Sequence, residues 1–152
     1  MRLTTHTDYA MRLLMYVGQH PERLCTISEI ARVYAISEPH LMKITHRLAQ
    51  HGWIETVRGK NGGMRLALTP EQINLGAVIR STENDFELVE CFGSGNTCSL
   101  NGQCQLTAII GGALQNFLTH LDGYTLADIL PHKNPLVPPD GEQALTFFAQ
   151  RA

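Results

Sequence analysis

The stretch TISEIARVYAISEPHLMKITHRLAQHGWIETVRGKNGGMRLAL, residues 26–68, determines the fold that the sequence predicts. It opens with a capping box, in which the Thr26 hydroxyl bonds the Glu29 amide and the glutamate carboxylate reaches back. A short helix follows, then a brief connection at residues 35–36, and then a third helix that Ser37 caps and Gly52 ends. Apolar side chains at helical spacing turn this third helix inward, namely Leu41, Ile44 and Leu48.

The second part of the same stretch predicts a β-hairpin. Residues 53–58 and 64–68 alternate like strands, and the turn between them is GKNGG, which is rich in residues that accept positive φ. The order of elements is that of a winged helix-turn-helix, with the helix-turn-helix at about 26–51 and the wing at 53–68. A generic small α+β core would not explain so short a turn between two helices followed directly by a glycine-tipped hairpin.

Helices on both sides of this stretch complete the expected architecture, which is mainly α with a small β-hairpin wing. A first helix begins near Thr5, and a helix over 75–81 closes a DNA-binding domain at residues 1–82. Residues 83–130 are expected to form a loop with three cysteines, which would be a cluster-binding loop for a metal cluster. A dimerisation helix follows from Gln105 onward.

The long helix lacks a charged face. No Asp, Glu, Lys or Arg lies between Cys91 and Leu121, whereas a surface helix usually has charged residues on one side. The helix is therefore expected to be buried on most sides. In so small a chain the expected cover is a second copy, which predicts a symmetric homodimer.

The composition limits the class of protein. The chain has 152 residues, 43% of them hydrophobic, which suits one compact domain with a small appendage and excludes global disorder. Its apolar runs are too short for a membrane span, and the N-terminus lacks the features of a secretory signal. We therefore expect a soluble cytoplasmic protein without a membrane partner, whose four cysteines are ligands or reactive thiols. The proline-rich residues 131–152 are expected to be a flexible tail with a helix at 144–149.

Charge is unevenly spread along the chain. Residues 1–68 have nine Lys or Arg against five acids, whereas residues 69–152 have three against nine. A basic half favours contact with a polyanion. On the third helix, His40, Lys43 and Arg47 have the spacing i, i+3, i+7, which places donors on a face that would enter a major groove. The alternative is an ordinary solvated face.

Three cations flank the glycine tip of the hairpin, Arg58, Lys60 and Arg65. So small a tip lets the backbone and a basic side chain approach phosphates or the minor groove. The alternative is a tight hairpin with surface charge. The predicted contacts to a double-stranded operator therefore comprise Ser37, His40, Lys43, Arg47, Arg58, Lys60, Asn61 and Arg65.

Cys91, Cys98 and Cys104 form a cluster with the spacing Cys-x6-Cys-x5-Cys. Zinc sites usually use C-x2–4-C and the common ferredoxin run uses C-x2-C, so neither pattern fits. Wider, glycine-containing loops suit an iron–sulfur cluster, with zinc and three unrelated thiols as alternatives. Three thiolates leave one iron without a cysteine, and Cys25, far away in sequence, is expected to be a structural thiol.

Several short motifs carry a resemblance to a known family. They are TDY at 7–9, SEPHLMKI at 37–44, VRGKNGG at 57–63, LVEC at 88–91 and DGYTLAD at 122–128. With the cysteine trio, these make the sequence similar to bacterial iron–sulfur winged-helix regulators, and among them to nitric-oxide-sensitive repressors of the NsrR type. The resemblance extends from Met1 to Leu130, over nearly everything except the tail.

The resemblance implies a homodimer with one cluster per subunit, 2Fe-2S or 4Fe-4S, held by the three clustered cysteines. In repressors of the NsrR type, an aspartate from the first helix of the other subunit can supply the fourth ligand. Asp8 occupies that position in this chain. Asp8 is also an acid in the first turn of a helix, where it can pair instead with Arg12 at i+4. Related regulators of cluster assembly have a histidine three residues after the third cysteine. Thr107 occupies that position in this chain, which favours the nitric-oxide sensor.

Together these expectations describe a transcriptional repressor that senses nitric oxide through an iron–sulfur cluster and then releases its operator. One alternative is a regulator that senses iron status, peroxide or zinc through the same thiols. Another, of a different class, is a small redox protein or cluster carrier. Since the sequence offers no catalytic constellation or nucleotide-binding loop, we expect no enzyme activity.

Overall fold

Three N-terminal helices and a two-stranded wing surround the core of the molecule. The computed structural model describes residues 2–100 and 102–131. The helices are α1 (Thr5–Gly18), α2 (Ile27–Tyr34), α3 (Glu38–Gln50), α4 (Leu75–Thr82), α5 (Gln105–Asp122) and α6 (Leu126–Ile129). The antiparallel strands are β1 (Ile54–Val57) and β2 (Gly63–Leu66), and short 3-10 turns occur at Pro70–Gln72 and Glu90–Phe92. This confirms the predicted fold class, mainly α with a small β-hairpin.

The core lies between α1, α3 and the inner face of the wing. From α1 it takes Leu13 and Leu14, which are fully buried at helical spacing. The predicted inward stripe of α3 is confirmed, because its three apolar residues are fully buried in the same cluster, namely Leu41, Ile44 and Leu48. Burial of large aliphatic side chains contributes about 1.5–3 kcal/mol each, so this stripe fixes α3 on the body of the protein.

The turn between α2 and α3 is short because Ala35 adopts a left-handed conformation, with φ of 53°. The chain then closes with a hydrogen bond from the Ile36 amide to the Ala31 carbonyl at 3.0 Å. The capping box at Thr26 and Glu29 is present, as predicted. Ser37 does occupy the N-cap position of α3, but its hydroxyl forms no capping hydrogen bond, so the expected side-chain cap is wrong.

The wing is docked on the chain just before α2. Cys25 and Met64 exchange two backbone hydrogen bonds of 2.9 and 2.8 Å. Gly63 permits this approach, because a Cβ atom there would lie only 2.7 Å from the Cys25 carbonyl oxygen. At the tip, Gly59 has a φ of +112°, a conformation that side chains disfavour. The wing is thereby held in register with the helix-turn-helix.

α5 is attached to the helical core at its C-terminal end. Arg80 of α4 forms a bidentate ion pair with Asp122 at 2.5 and 2.7 Å. Gly76 of α4 leaves room for this carboxylate, since a Cβ at that position would overlap it. The Leu75 amide also donates to the Tyr124 carbonyl at 3.0 Å, immediately after the helix.

Most of α5 is uncovered among the described residues, and its expected burial against a second copy stays a prediction. Leu118 is the buried residue of α5 in the described part of the chain. By contrast, Leu106 and Ile109 are 58% and 67% exposed, although no charged side chain accompanies them. Transferring such side chains out of water is favourable, and exposed apolar faces of this kind are typical of interaction surfaces.

The predicted flexible tail at 131–152, with its helix at 144–149, lies outside the described residues apart from Pro131. Across residues 2–100 and 102–131, no helix combines the length and the apolar character needed to cross a membrane.

Candidate nucleic-acid interface and cysteine loop

The outer face of α3 presents its polar side chains unevenly. Lys43 is exposed, as the spacing predicts. His40 is only half exposed, because its ring packs edge-on against Tyr9 of α1 with the ring centroids 5.1 Å apart. Ser37 is exposed at the start of the helix. The exposed face of α3 therefore centres on Lys43 rather than on a row of three cations.

Arg47 is turned away from this face, which corrects its predicted place among the DNA-facing donors. Its Nε donates to the Ser81 carbonyl at 2.9 Å. Its two terminal nitrogens donate to the Asn84 side chain at 3.0 Å and to the Glu83 carbonyl at 3.2 Å. The guanidinium is thus engaged with the end of α4, and a helical wheel of α3 alone does not contain that partner.

Two exposed residues of α3 were missed from sequence. Met42 is 57% exposed beside Lys43, and His46 is exposed one turn further along. Methionine is an apolar residue that is usually assigned to a core, so its residue type alone does not predict exposure. Its position directly after the buried Leu41, outside the stripe that continues at Ile44, is the signal that could have placed it on the outer face.

The wing presents its cations at the tip more than on its strands. Arg58, Lys60 and Asn61 are exposed around the turn, and within the described residues no ion pair involves either cation. Arg65, by contrast, lies opposite Glu55 in the strand register and pairs with its carboxylate at 2.8 Å. The positive potential of the wing is therefore concentrated at Arg58 and Lys60.

The three clustered cysteines line one cavity at the N-terminal end of α5. Its volume is about 250 Å³, and its other walls are mostly apolar, formed by Val89, Leu100, Leu106 and Ile110 among others. Cys91 and Cys104 are partly exposed and Cys98 is exposed, and all three are free thiols. The irregular loop between Glu90 and α5 thus brings three cysteines of one short segment to a single concave surface.

Cys104 differs chemically from the other thiol groups. It is the N-cap residue of α5, and its pKa is lowered by the nearby donors of Thr107, amide first and then hydroxyl, and by the Leu106 amide. Thr107 also lies 3.3 Å from the Cys91 sulfur through its hydroxyl. Thiolates are the form that binds metal, and a lowered pKa favours that form at Cys104.

Cys25 lies in the opposite environment. It is fully buried between the wing and α2, and burial is the main cause that raises its pKa to about 11. A buried thiol of this kind stays protonated and inert near neutral pH. These features agree with the structural role expected of it.

The three thiols are soft ligands of the kind that bind iron–sulfur clusters or zinc. Within the described residues, no three His, Cys, Asp or Glu side chains lie close enough together to hold one metal ion. Three thiols around a shared apolar cavity, one with a lowered pKa, do fit a cluster whose iron atoms are spread over several ligands. Asp8 is absent from the lining of this cavity and forms an ion pair with Arg12 at 2.9 Å.

Comparisons with known proteins agree with this arrangement. The family model for Rrf2, described as an iron-dependent transcriptional regulator, matches residues 3–132. The HTH-type transcriptional regulator NsrR of Halalkalibacterium halodurans is 46% identical over 138 residues, which cover 90% of this chain and 94% of that protein. The NsrR of Geobacillus kaustophilus is 48% identical over 138 residues, with the same two coverages.

A solved structure, IscR of T. potens, superimposes with a TM-score of 0.69 at 25% identity and covers 85% of each chain. The two NsrR relatives are named as transcriptional regulators, and this chain is accordingly a regulator and not an enzyme. The chain belongs to the Rrf2 family of iron-dependent transcriptional regulators, and within that family it is a regulator of the NsrR type.

Proposed function

We propose that this regulator is a repressor that senses nitric oxide through an iron–sulfur cluster held by Cys91, Cys98 and Cys104. The observation that carries the proposal is the convergence of the three thiols on one cavity at the start of α5. A bound cluster, 2Fe-2S or 4Fe-4S and one per subunit, supplies iron with which nitric oxide can react. The thiolates and the N-terminus of α5 hold it, and the apolar walls limit access of water.

DNA binding is proposed for α3 and the wing tip. α3 enters the major groove with Ser37, His40 and Lys43, to which the structure adds Met42 and His46. An exposed methionine suits apolar contact with a thymine methyl group, while lysine and histidine donate to base edges or phosphates. At the wing, Arg58, Lys60 and Asn61 approach the backbone or the minor groove, and Arg65 contributes less because Glu55 balances its charge.

A homodimer is proposed because α5 exposes an apolar face that no part of residues 2–100 and 102–131 covers. Pairing two copies of α5 would bury Leu106 and Ile109 and place two recognition helices on one duplex. A dimer reads two half-sites about one helical turn apart or a multiple of it, so the spacing of the two α3 helices controls affinity. Such a dimer would act in the cytoplasm, where the cluster thiols stay reduced.

The sensing step is a coupling between the cysteine loop and the recognition helices. The loop follows α4, and α4 is joined to the end of α5 by the Arg80–Asp122 ion pair. A change in the loop therefore acts on the elements that set the spacing of the dimer. A coupling of about 1–3 kcal/mol would change operator affinity by about 5–150-fold, which is enough to derepress genes.

The decisive experiment is an absorption spectrum of anaerobically purified protein during stepwise addition of nitric oxide, paired with an operator-binding titration at each step. Iron–sulfur charge-transfer bands are expected to change in parallel with a loss of operator affinity. A colourless zinc protein would contradict the proposal. So would a coloured protein whose operator affinity responds to iron or peroxide and not to nitric oxide.

Alanine at Arg58 or Lys60 is expected to weaken operator binding uniformly across sequences. A variant that lacks one phosphate contact releases one counterion fewer when it binds. The magnitude of the slope of log affinity against log salt concentration should therefore decrease by about one. Fluorescence anisotropy over a salt series measures both quantities. Arg65→Ala is the matched control and should change the slope less, because Glu55 already pairs with that cation. A change in base preference at an unchanged slope would show that the wing has been misassigned.

Asp8→Ala tests the fourth ligand, which we propose is Asp8 from the other subunit. The variant should fold and retain a cluster on three thiolates, with an altered spectrum, an altered rate of reaction with nitric oxide and weaker operator binding. Arg12→Ala is the control, because it removes the same 2.9 Å ion pair and leaves the carboxylate in place. Asp8→Glu keeps the helix electrostatics and moves the carboxylate by one methylene.

If Asp8 is only an acid at the start of α1, Asp8→Ala should lose about 0.3–1 kcal/mol of stability and nothing else. Arg12→Ala would then show a similar loss. A wild-type spectrum, nitric-oxide rate and operator affinity in both Asp8 variants would contradict the ligand assignment.

A further inference from the structure

Residues 81–84, which are the last two residues of α4 and the two that follow it, bind the beginning of α1. The Thr4 amide and hydroxyl donate to one carboxylate oxygen of Glu83 at 2.8 and 3.1 Å, and Glu83 is only 8% exposed. The Thr7 hydroxyl donates to the Thr82 hydroxyl at 3.0 Å, and both residues are buried. Since the chain runs from residues 81–84 directly toward the cysteine loop, this short segment joins the loop to α1.

The same segment binds the recognition helix and the base of the wing. The Trp53 indole N–H donates to the Ser81 hydroxyl at 2.9 Å, just before β1. Arg47, in the last turn of α3, donates to the Ser81 and Glu83 carbonyls and to the Asn84 side chain. Residues 81–84 are therefore the place where α1, α3, the wing and the cysteine loop are connected.

Arg47 is suited to this position by its shape as well as its charge. The last carbonyls of a helix lack intrahelical partners and carry the negative end of the helix dipole, and the Ser81 carbonyl is one of them. A planar guanidinium can satisfy several such acceptors at once in a fixed geometry, whereas a lysine ammonium on a flexible stem cannot reproduce it. The three hydrogen bonds thus fix the orientation of the C-terminal half of α3 relative to the end of α4.

We propose that Arg47 is a positioning residue that connects the recognition helix to residues 81–84 and so transmits the state of the cysteine loop to the DNA-reading surface. The transmission rests on the proposed function, whereas the connection itself rests on the three hydrogen bonds. Arg47 acts through α3 and does not bind the operator. Without it, α3 keeps its place on the core through Leu41, Ile44 and Leu48, but its far end is no longer tied to α4.

The test compares Arg47→Ala and Arg47→Lys with Lys43→Ala in the full-length protein. Operator affinity is measured over a salt series for the cluster-loaded and the cluster-free forms of each variant. For both Arg47 variants, the ratio of cluster-loaded to cluster-free operator affinity is expected to fall by about fivefold or more. The salt slope should be unchanged. For Lys43→Ala, a proposed DNA contact, the slope should fall by about one and the ratio should persist.

Asn84→Ala provides a second route, because it removes an acceptor of Arg47 just after α4 without altering α3. Its ratio should also fall, and the double variant Arg47→Ala/Asn84→Ala should be no worse than Arg47→Ala alone. An Arg47→Ala protein whose slope drops by about one while its ratio stays at the wild-type value would overturn the proposal. So would a wild-type ratio in Arg47→Lys, because charge alone would then suffice.

Failure of the proposed function gives a different pattern. If the wild-type protein binds its operator equally with and without a cluster, the sensing proposal fails. Operator binding by the cluster-free Arg47 variants over a salt series then decides whether Arg47 is a positioning residue. Weakened binding at an unchanged slope supports the positioning role, and a slope reduced by about one, or wild-type binding, contradicts it.

Discussion

Alanine at Cys91, Cys98 or Cys104 is expected to abolish the coloured cluster and to weaken specific operator binding by about 5–150-fold. Because the three thiols line a single cavity, each removal would leave the proposed cluster one ligand short. Replacing Cys104 also removes the thiol whose pKa is lowered at the start of α5. Iron content, the absorption spectrum and operator titration under anaerobic conditions measure the effects.

Cys25→Ala is the matched control for these variants. Its thiol is fully buried behind the wing and has a pKa raised to about 11, so it should contribute to packing and not to cluster binding. We expect a modest loss of stability, visible as a lower thermal midpoint, with wild-type iron content and operator affinity. Unchanged iron in any one of the three loop variants would remove that cysteine from the proposed ligand set.

The second large effect is expected at the dimer surface. Ile109→Asp places a charge on the apolar face of α5, where the wild-type side chain is 67% exposed in a single chain. Burying an unpaired carboxylate in an interface costs several kcal/mol, so the variant should be monomeric. Because a monomer reads only one half-site, its operator affinity should fall by about 10²–10⁴-fold. Sedimentation analysis over a range of concentrations and anisotropy measure the two results.

Val33→Asp is the control for this variant. Val33 is an apolar residue of α2 and is 57% exposed, so it carries the same chemical change at a comparably exposed position outside α5. Its oligomeric state should match that of the wild type. A dimeric Ile109→Asp protein, or a monomeric Val33→Asp protein, would contradict the assignment of the interface to α5.

The sequence was most informative where structure is decided locally. The capping box at Thr26, the turn before Ser37 and the glycine-tipped wing all depend on residues within a few positions of one another, and all are present in the structure. The spacing of the cysteines likewise grouped three thiols that the fold brings to one cavity. These features required no knowledge of distant contacts.

The sequence failed where a side chain's destination depends on a distant partner. Arg47 has the spacing of a groove-facing residue, yet its acceptors lie at the end of α4, more than thirty positions away. His40 is partly covered by Tyr9 of another helix. The uncharged face of α5 is exposed among the described residues, so its burial against a second copy stays a prediction. The position of Asp8 relative to the loop of a second subunit stays a prediction for the same reason.

The hydrogen bond between Trp53 and Ser81 also provides an optical probe. Trp53 is the sole tryptophan of the chain, and its half-buried indole is held at 2.9 Å from the Ser81 hydroxyl. Indole emission moves to longer wavelengths when the ring gains contact with water, and all tryptophan emission of the unlabelled protein originates at this junction. Stopped-flow recording of that emission can therefore time the response of the wing base to a signal arriving at the cysteine loop, without a dye and without DNA.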